Sequence, residues 1–98
     1  MFQPLAGIRV IDVTQVLAGP YAAYQLGLMG AEVLKIEAPG IGDWSREKGE
    51  LPDLNAEGMG LTYLTQNANK KSVTLNLKTP EGLAIMKRLI EGADVFIE

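Results

Sequence analysis

The stretch Ile8-Arg9-Val10-Ile11-Asp12-Val13-Thr14-Gln15-Val16-Leu17-Ala18-Gly19-Pro20 carries the pattern of a strand, a turn and a helix. Its first half alternates and is rich in β-branched residues, so Ile8–Val13 reads as a strand. Thr14 to Gly19 reads as a short turn. Pro20 suits the first position of a helix, where a missing N–H costs nothing. That helix is expected to run to about Met29 and to stop at Gly30. Ala22, Ala23, Leu26, Gly27 and Leu28 are small or apolar nearly all round, which implies a helix buried on more than one side. A strand that feeds a turn and then such a helix is the opening of an α/β unit.

The rest of the chain repeats the rhythm. Glu32–Glu37 reads as a second strand with alternating polarity. Ala38 to about Gly60 holds Pro39, Gly40, Gly42, Gly49, Pro52, Gly58 and Gly60 and reads as irregular. A loop of that length in a compact domain is usually functional or covered. Ser72–Leu77 is the third strand. Thr79-Pro80-Glu81 opens a helix with a capping hydroxyl, a proline at the first position and an acid near the positive end of the dipole. Leu83, Met86 and Ile90, with Ile85 and Leu89, form its apolar face, while Lys87, Arg88 and Glu91 face water. Gly92 ends it, and Asp94–Ile97 starts a fourth strand. Strand-helix alternation implies a doubly wound parallel sheet with right-handed crossovers. A parallel strand normally feeds another loop and helix, so the sequence reads as cut inside its domain.

Composition bounds the function. The chain has 98 residues, 47% hydrophobic and 21% charged, which fits one small globular domain. Its net charge of -3, with no long run of one sign, argues against a nucleic-acid or anionic-membrane surface. It has no cysteine and no histidine. That excludes a disulfide framework and argues against a zinc site and against a Ser-His or Cys-His catalytic pair. A cytoplasmic protein is expected. Met1-Phe2-Gln3-Pro4 lacks the basic-then-apolar order of a signal peptide. Thr14 to Ala31 carries no charge, but Gln15, Gly19, Pro20, Gln25 and Gly27 interrupt it, so a buried loop and helix is expected there rather than a membrane span.

Two stretches could carry chemistry. The turn Thr14 to Pro20 follows a strand and precedes a helix, where open α/β sheets bind ligands and where helix N–H groups are free for an anion. No G-x-G-x-x-G pattern accompanies it, and a tight packing turn is the plainer alternative. The second stretch is Asn67-Ala68-Asn69-Lys70-Lys71-Ser72, leading to Leu75-Asn76-Leu77-Lys78. Its three lysines flank one strand, where ammonium groups can hold phosphate, or they are simply solvated. Asp43, Trp44 and Arg46 in the long loop are a third, weaker group. Asp12, inside the first strand, binds a backbone group or sits at an interface. No carboxylate pair stands out as an acid/base dyad.

Read in register, five blocks resemble class III CoA-transferases, the CaiB/BaiF family. They are Pro4 to Thr14 with Leu17-Ala18-Gly19-Pro20, Leu28 to Glu37, Gly42-Asp43 with Arg46, Asn67 to Gly82, and Ala93 to Glu98. Only Glu47 to Leu64 matches loosely. The resemblance implies a Rossmann-like large domain, of which residues 1–98 would be the incomplete amino-terminal part, and an interlocked homodimer. It implies an enzyme that moves coenzyme A between an acyl-CoA and a free carboxylic acid, with CoA as substrate and no permanently bound cofactor. The nucleophile would be an aspartate beyond Glu98 that forms an aspartyl-CoA thioester. This segment would then hold no catalytic residue, and the chain alone would be inactive. Gln15, Val16, Leu17 and Ala18 match the segment that lines the thioester end of the CoA pocket. Leu75, Asn76, Leu77 and Lys78 match the segment that holds adenine and phosphates. Ala38 stands where some members carry an arginine, so phosphate binding is expected to lean on Lys78. Leu17 stands where some formyl-CoA transferases have a polar residue, which leaves the acyl pair open. Two alternatives stand beside this one: an α-methylacyl-CoA racemase-type enzyme, which shares the opening pattern, and a non-catalytic nucleotide-binding domain.

Overall fold

The computed structural model describes residues 2–98. Its strands are Arg9–Asp12 (β1), Glu32–Glu37 (β2), Lys71–Thr74 (β3) and Val95–Ile97 (β4), joined by helices Ala18–Leu28 (α1), Pro52–Ala56 (α2), Leu61–Asn67 (α3) and Pro80–Glu91 (α4), with a 3-10 turn at Trp44–Glu47. The strands form one all-parallel sheet in the order β3-β2-β1-β4. This is an incomplete Rossmann-like α/β fold, as the alternation of elements implies.

Side-chain alternation along the strands builds two apolar layers. Val10 and Val33 face α1 and pack with Ala23 and Ala31. Their neighbours Ile11, Leu34 and Ile36 face the other way and pack on Met86 and Leu89 of α4. Helices therefore cover both faces, the condition for a parallel sheet. Thr79 caps α4 by accepting from the Gly82 amide at 3.1 Å, and Pro80 takes the first position.

Several boundaries differ from the sequence reading. Helix α1 begins at Ala18, so Pro20 lies at its third position. That site is equally free of an intrahelical N–H bond. The buried residues of α1, Pro20, Ala23 and Gly27, share one face, and Tyr21, Ala22 and Leu28 are exposed, so the helix is not buried on more than one side. The third strand starts and ends earlier than Ser72–Leu77. Leu75 N–H still reaches Glu37 O at 3.0 Å, and the chain then leaves the ladder. There Asn76 Oδ1 accepts from the Lys78 amide at 3.0 Å, which bends the chain into α4. The long loop is not irregular throughout, since it holds the 3-10 turn and α2 and is followed by α3. Asp43 caps the 3-10 turn through the Ser45 amide at 2.8 Å.

Two glycines permit close approaches that position the site loops. A Cβ on Gly19 would fall 2.3 Å from Thr14 Cγ2, and one on Gly82 would fall 2.0 Å from Asn76 O. Any side chain at either place would push the helix start away from the strand exit.

Candidate functional site

The carboxyl ends of β1, β2 and β3 open into a hollow of about 190 Å³ on the α4 side of the sheet. It is lined by Val13, Gln15, Ile36, Glu37, Ala38, Leu75, Asn76, Leu77 and Lys78. Gln15, from one candidate stretch, thus meets all of Leu75 to Lys78, from the other, 60 residues away in the chain. Val16, Leu17 and Ala18 do not line this hollow. They form the bend into α1, where Leu17 is exposed and caps the helix with no side-chain hydrogen bond. At 190 Å³ the hollow is smaller than the roughly 300–1,000 Å³ of complete ligand pockets. It suits one part of an extended ligand. A wider, shallower and more polar hollow lies at the amino ends of the strands, between Arg9, Glu32 and Asp94. Ligands of open α/β sheets bind at the other end.

The three lysines near β3 separate sharply. Lys70 is withdrawn from solvent: its Nζ lies 2.9 Å from Asp12 Oδ2, 2.9 Å from Pro20 O and 2.8 Å from Asn67 Oδ1. Burial lowers its pKa, against the pull of Asp12. Lys71 pairs with Glu32 at 2.9 Å. Lys78 alone of the three reaches the hollow, and it makes no side-chain ion pair or hydrogen bond among the described residues. Of the three lysines that flank the strand, one is therefore placed to meet a ligand at the hollow. Ala38 sits opposite and supplies no second cation.

On the α1 side of the same strand ends lies a buried ionic layer. Lys35 Nζ lies 2.7 Å from Asp43 Oδ2, both side chains fully buried, and donates to Thr14 O at 3.0 Å. The approach to Oδ2 is off the hydrogen-bond axis, so it is a close ion contact. Asp43 Oδ1 accepts from Val16 N at 3.2 Å, Ser45 N at 2.8 Å and Ser45 Oγ at 2.7 Å. Burial would raise the Asp43 carboxyl, but Lys35 and Ser45 outweigh it and hold the pKa below the usual range. Glu37 takes two bonds of 2.7 Å from Arg46 Nε and Nη2, one from the Asp43 amide at 2.8 Å and one from Ser72 Oγ. Burial opposes its charge too, yet these donors bring its pKa down to about 2. The Arg46 guanidinium lies 3.9 Å from the Tyr63 ring centroid. Asp12 Oδ1 accepts from the Thr14 amide at 2.9 Å and from the Thr14 hydroxyl.

Sequence reasoning gave Lys35 and Glu37 no role and left Asp12 and Asp43 undecided. A signal was present. Parallel strands with both faces covered should be apolar throughout, yet Asp12, Lys35 and Glu37 recur at period two on one face.

The model of CoA-transferase family III matches residues 5–98. Succinyl-CoA:glutarate CoA-transferase of Mus musculus is 48% identical over 96 residues, covering 98% of this chain and 21% of the mouse protein. The succinyl-CoA–L-malate CoA-transferase beta subunit of Chloroflexus aurantiacus is 50% identical over 95 residues, covering 97% of this chain and 23% of that protein. Formyl-CoA:oxalate CoA-transferase of Escherichia coli is 43% identical, covering all of this chain and 23% of that protein. A crystal structure of a CAIB/BAIF family protein from Brucella suis superposes with a TM-score of 0.84 at 32% identity, covering 98% of this chain and 25% of that one. The chain thus spans about a fifth to a quarter of the length of the relatives it matches.

Proposed function

The chain belongs to CoA-transferase family III, and we propose from that premise that it supplies part of the coenzyme A site of an enzyme that moves CoA between an acyl-CoA and a free carboxylic acid. The observation that carries this reading is the hollow at the strand ends, where Gln15 meets Leu75, Asn76, Leu77 and the unpaired Lys78. A partial hollow with one cation suits the phosphate end of CoA, while Gln15 and the bend at Val16, Leu17 and Ala18 lead toward the thioester. In this reading residues 1–98 are the amino-terminal part of the large domain of an interlocked, cytoplasmic homodimer. The nucleophile is an aspartate beyond Glu98, which forms an aspartyl-CoA thioester. The surroundings of three of the four local aspartates favour that placement. Asp12 and Asp43 are buried in ion pairs. Asp94 accepts from the Arg9 amide at the far end of the sheet. The transferase names of the mouse, Chloroflexus and Escherichia coli relatives favour this branch over a racemase. They also share a dicarboxylic acceptor, which is the substrate class to try first.

The test is Lys78→Ala in the full-length protein, titrated with CoA by calorimetry. A charge-assisted hydrogen bond contributes roughly 1.5–3 kcal/mol, so affinity should fall by roughly ten- to a hundredfold. The loss should shrink at high salt, because an exposed ion contact is screened. In turnover it should appear in KM, since a phosphate remote from the reacting bond is bound equally in ground and transition states. Equal affinities of wild type and variant would leave Lys78 as a solvated side chain at the start of α4 and remove the phosphate site.

A further inference from the structure

We propose that Asp43 is a positioning residue for the candidate CoA site: clamped by Lys35, it latches Val16 in a left-handed backbone conformation and thereby fixes where Gln15 stands. The inference rests on the reading of the hollow as a CoA subsite. Val16 has φ of 71°, a region that β-branched residues rarely occupy. Such conformations persist only where their surroundings over-determine them. Here neighbouring side chains hold it from several directions. Thr14 O, two residues earlier, is held by Lys35 Nζ, and the Thr14 amide by Asp12. The Val16 amide itself donates to Asp43 Oδ1. Gln15 Oε1 accepts at 3.3 Å from the amide of Trp44, the residue that follows Asp43. The bend before α1 and the cap of the 3-10 turn therefore share one carboxylate.

Asp43 is 1% exposed and Lys35 0%, so neither can touch a ligand. Any effect on CoA must pass through the backbone they hold. The rival account is that Asp43 merely neutralises Lys35 and caps the 3-10 turn, with Val16 an incidental neighbour.

Val16→Gly separates the two, because glycine adopts positive φ without strain and no longer requires a latch. The unlatched variant is Lys35→Met with Asp43→Leu in the full-length protein. Both charges leave together, which buried pairs tolerate better than the loss of one partner. Calorimetric CoA affinity is measured against the matching parent, with Val16 or with Val16→Gly. The expected loss is at least tenfold in the Val16 parent and under threefold in the Val16→Gly parent, while the loss of melting temperature is the same in both. Equal affinity losses in the two parents, or none in either, would overturn the latch. Should the unlatched variant not fold, amide hydrogen exchange on the wild type and Asp43→Asn decides. The Val16 and Ser45 amides should both be protected in the wild type and should both exchange faster in Asp43→Asn. A Val16 amide that exchanges as freely as an open loop in the wild type also overturns the latch. Failure of wild type to bind CoA at all would instead sink the CoA reading, and the exchange experiment would still judge the latch.

Discussion

Lys70 and Lys78 lie eight residues apart and carry the same charge, yet they belong to different parts of the molecule's physics. Lys78 stands in solvent beside the hollow. Lys70 is buried between Asp12, Asn67 and the Pro20 carbonyl, and so ties β1, α3 and α1 together. Sequence alone could not separate them, because a lysine's fate depends on what covers it and not on its neighbours in the chain. Energetically the two should behave in opposite ways. Removing one member of a buried ion pair leaves an uncompensated charge and costs about 3–5 kcal/mol, whereas removing an exposed cation usually changes stability by under about 0.5 kcal/mol. Lys70→Met in the full-length protein is therefore expected to lower unfolding stability by an amount in that first range, and Lys78→Ala hardly at all. Adding Asp12→Asn to Lys70→Met should recover part of the loss, since the stranded carboxylate is then gone. Denaturant unfolding of the four proteins measures this, and no recovery in the double variant would mean that Asp12 is not the group left unpaired.

Among the elements, β2 is the one whose sequence was easiest to place and hardest to interpret. Glu32–Glu37 was legible as a strand from its alternation, and the register Asp12↔Lys35 follows from packing its apolar residues against β1. Alternation ordinarily marks a half-solvated strand, but here the polar side is covered by the 3-10 turn, α1 and α3. Those covering pieces were the part the sequence hid. Trp44–Glu47 and Pro52–Ala56 are a single turn or little more, too short for periodicity to register. The 3-10 turn is held by Glu37, through Arg46, and by Asp43, through Ser45, rather than by local propensity, and α2 packs on that turn. Glu37 joins β2 to the loop through Arg46, to α3 through Arg46 and Tyr63, and to β3 through Ser72. Its pKa, near 4.5 when unfolded, is about 2 in the fold. A carboxyl depressed in the folded state stabilises it fully above the unfolded value, and that contribution disappears as pH falls from about 4.5 through 2. Asp43 is shifted in the same direction, so its contribution has the same sign. Trp44, the only tryptophan in the chain, sits on the turn these groups hold and reports its opening. The stability gap between wild type and Glu37→Gln should be wide at pH 7 and close progressively below about pH 4.5, with a matching change in Trp44 emission. A gap independent of pH would mean that Glu37 is not charged in the fold.

At the scale of the whole molecule, the sheet and its two covering layers were readable because each apolar stripe has a period that local sequence displays. The open surfaces were not, because exposure depends on what else is present. Helix α4 illustrates this. Met86 and the half-buried Leu89 meet the sheet as its periodicity requires, but Leu83, Ile85 and Ile90, assigned to the same apolar face, remain exposed, as does Phe96 on β4. On α1, Tyr21 and Leu28 are exposed as well. Strands β3 and β4 are the two edges of the sheet, each with one unpaired side. Large apolar side chains exposed on both flanks of the α4 contact face and an open three-residue strand edge are the ingredients of association. Residues 1–98 expressed alone are therefore expected to bind a hydrophobic dye such as ANS and to grow in size with concentration. The replacements Leu83→Lys, Ile85→Glu and Ile90→Glu should reduce both signals together without changing the far-ultraviolet circular dichroism, because none of the three side chains sits among the buried residues of the sheet layer. Light scattering across a concentration series measures the outcome. A monomer that melts cooperatively above about 60 °C, near the upper end for ordinary mesophile domains, and binds no dye would show that these surfaces are tolerated in water and need no partner.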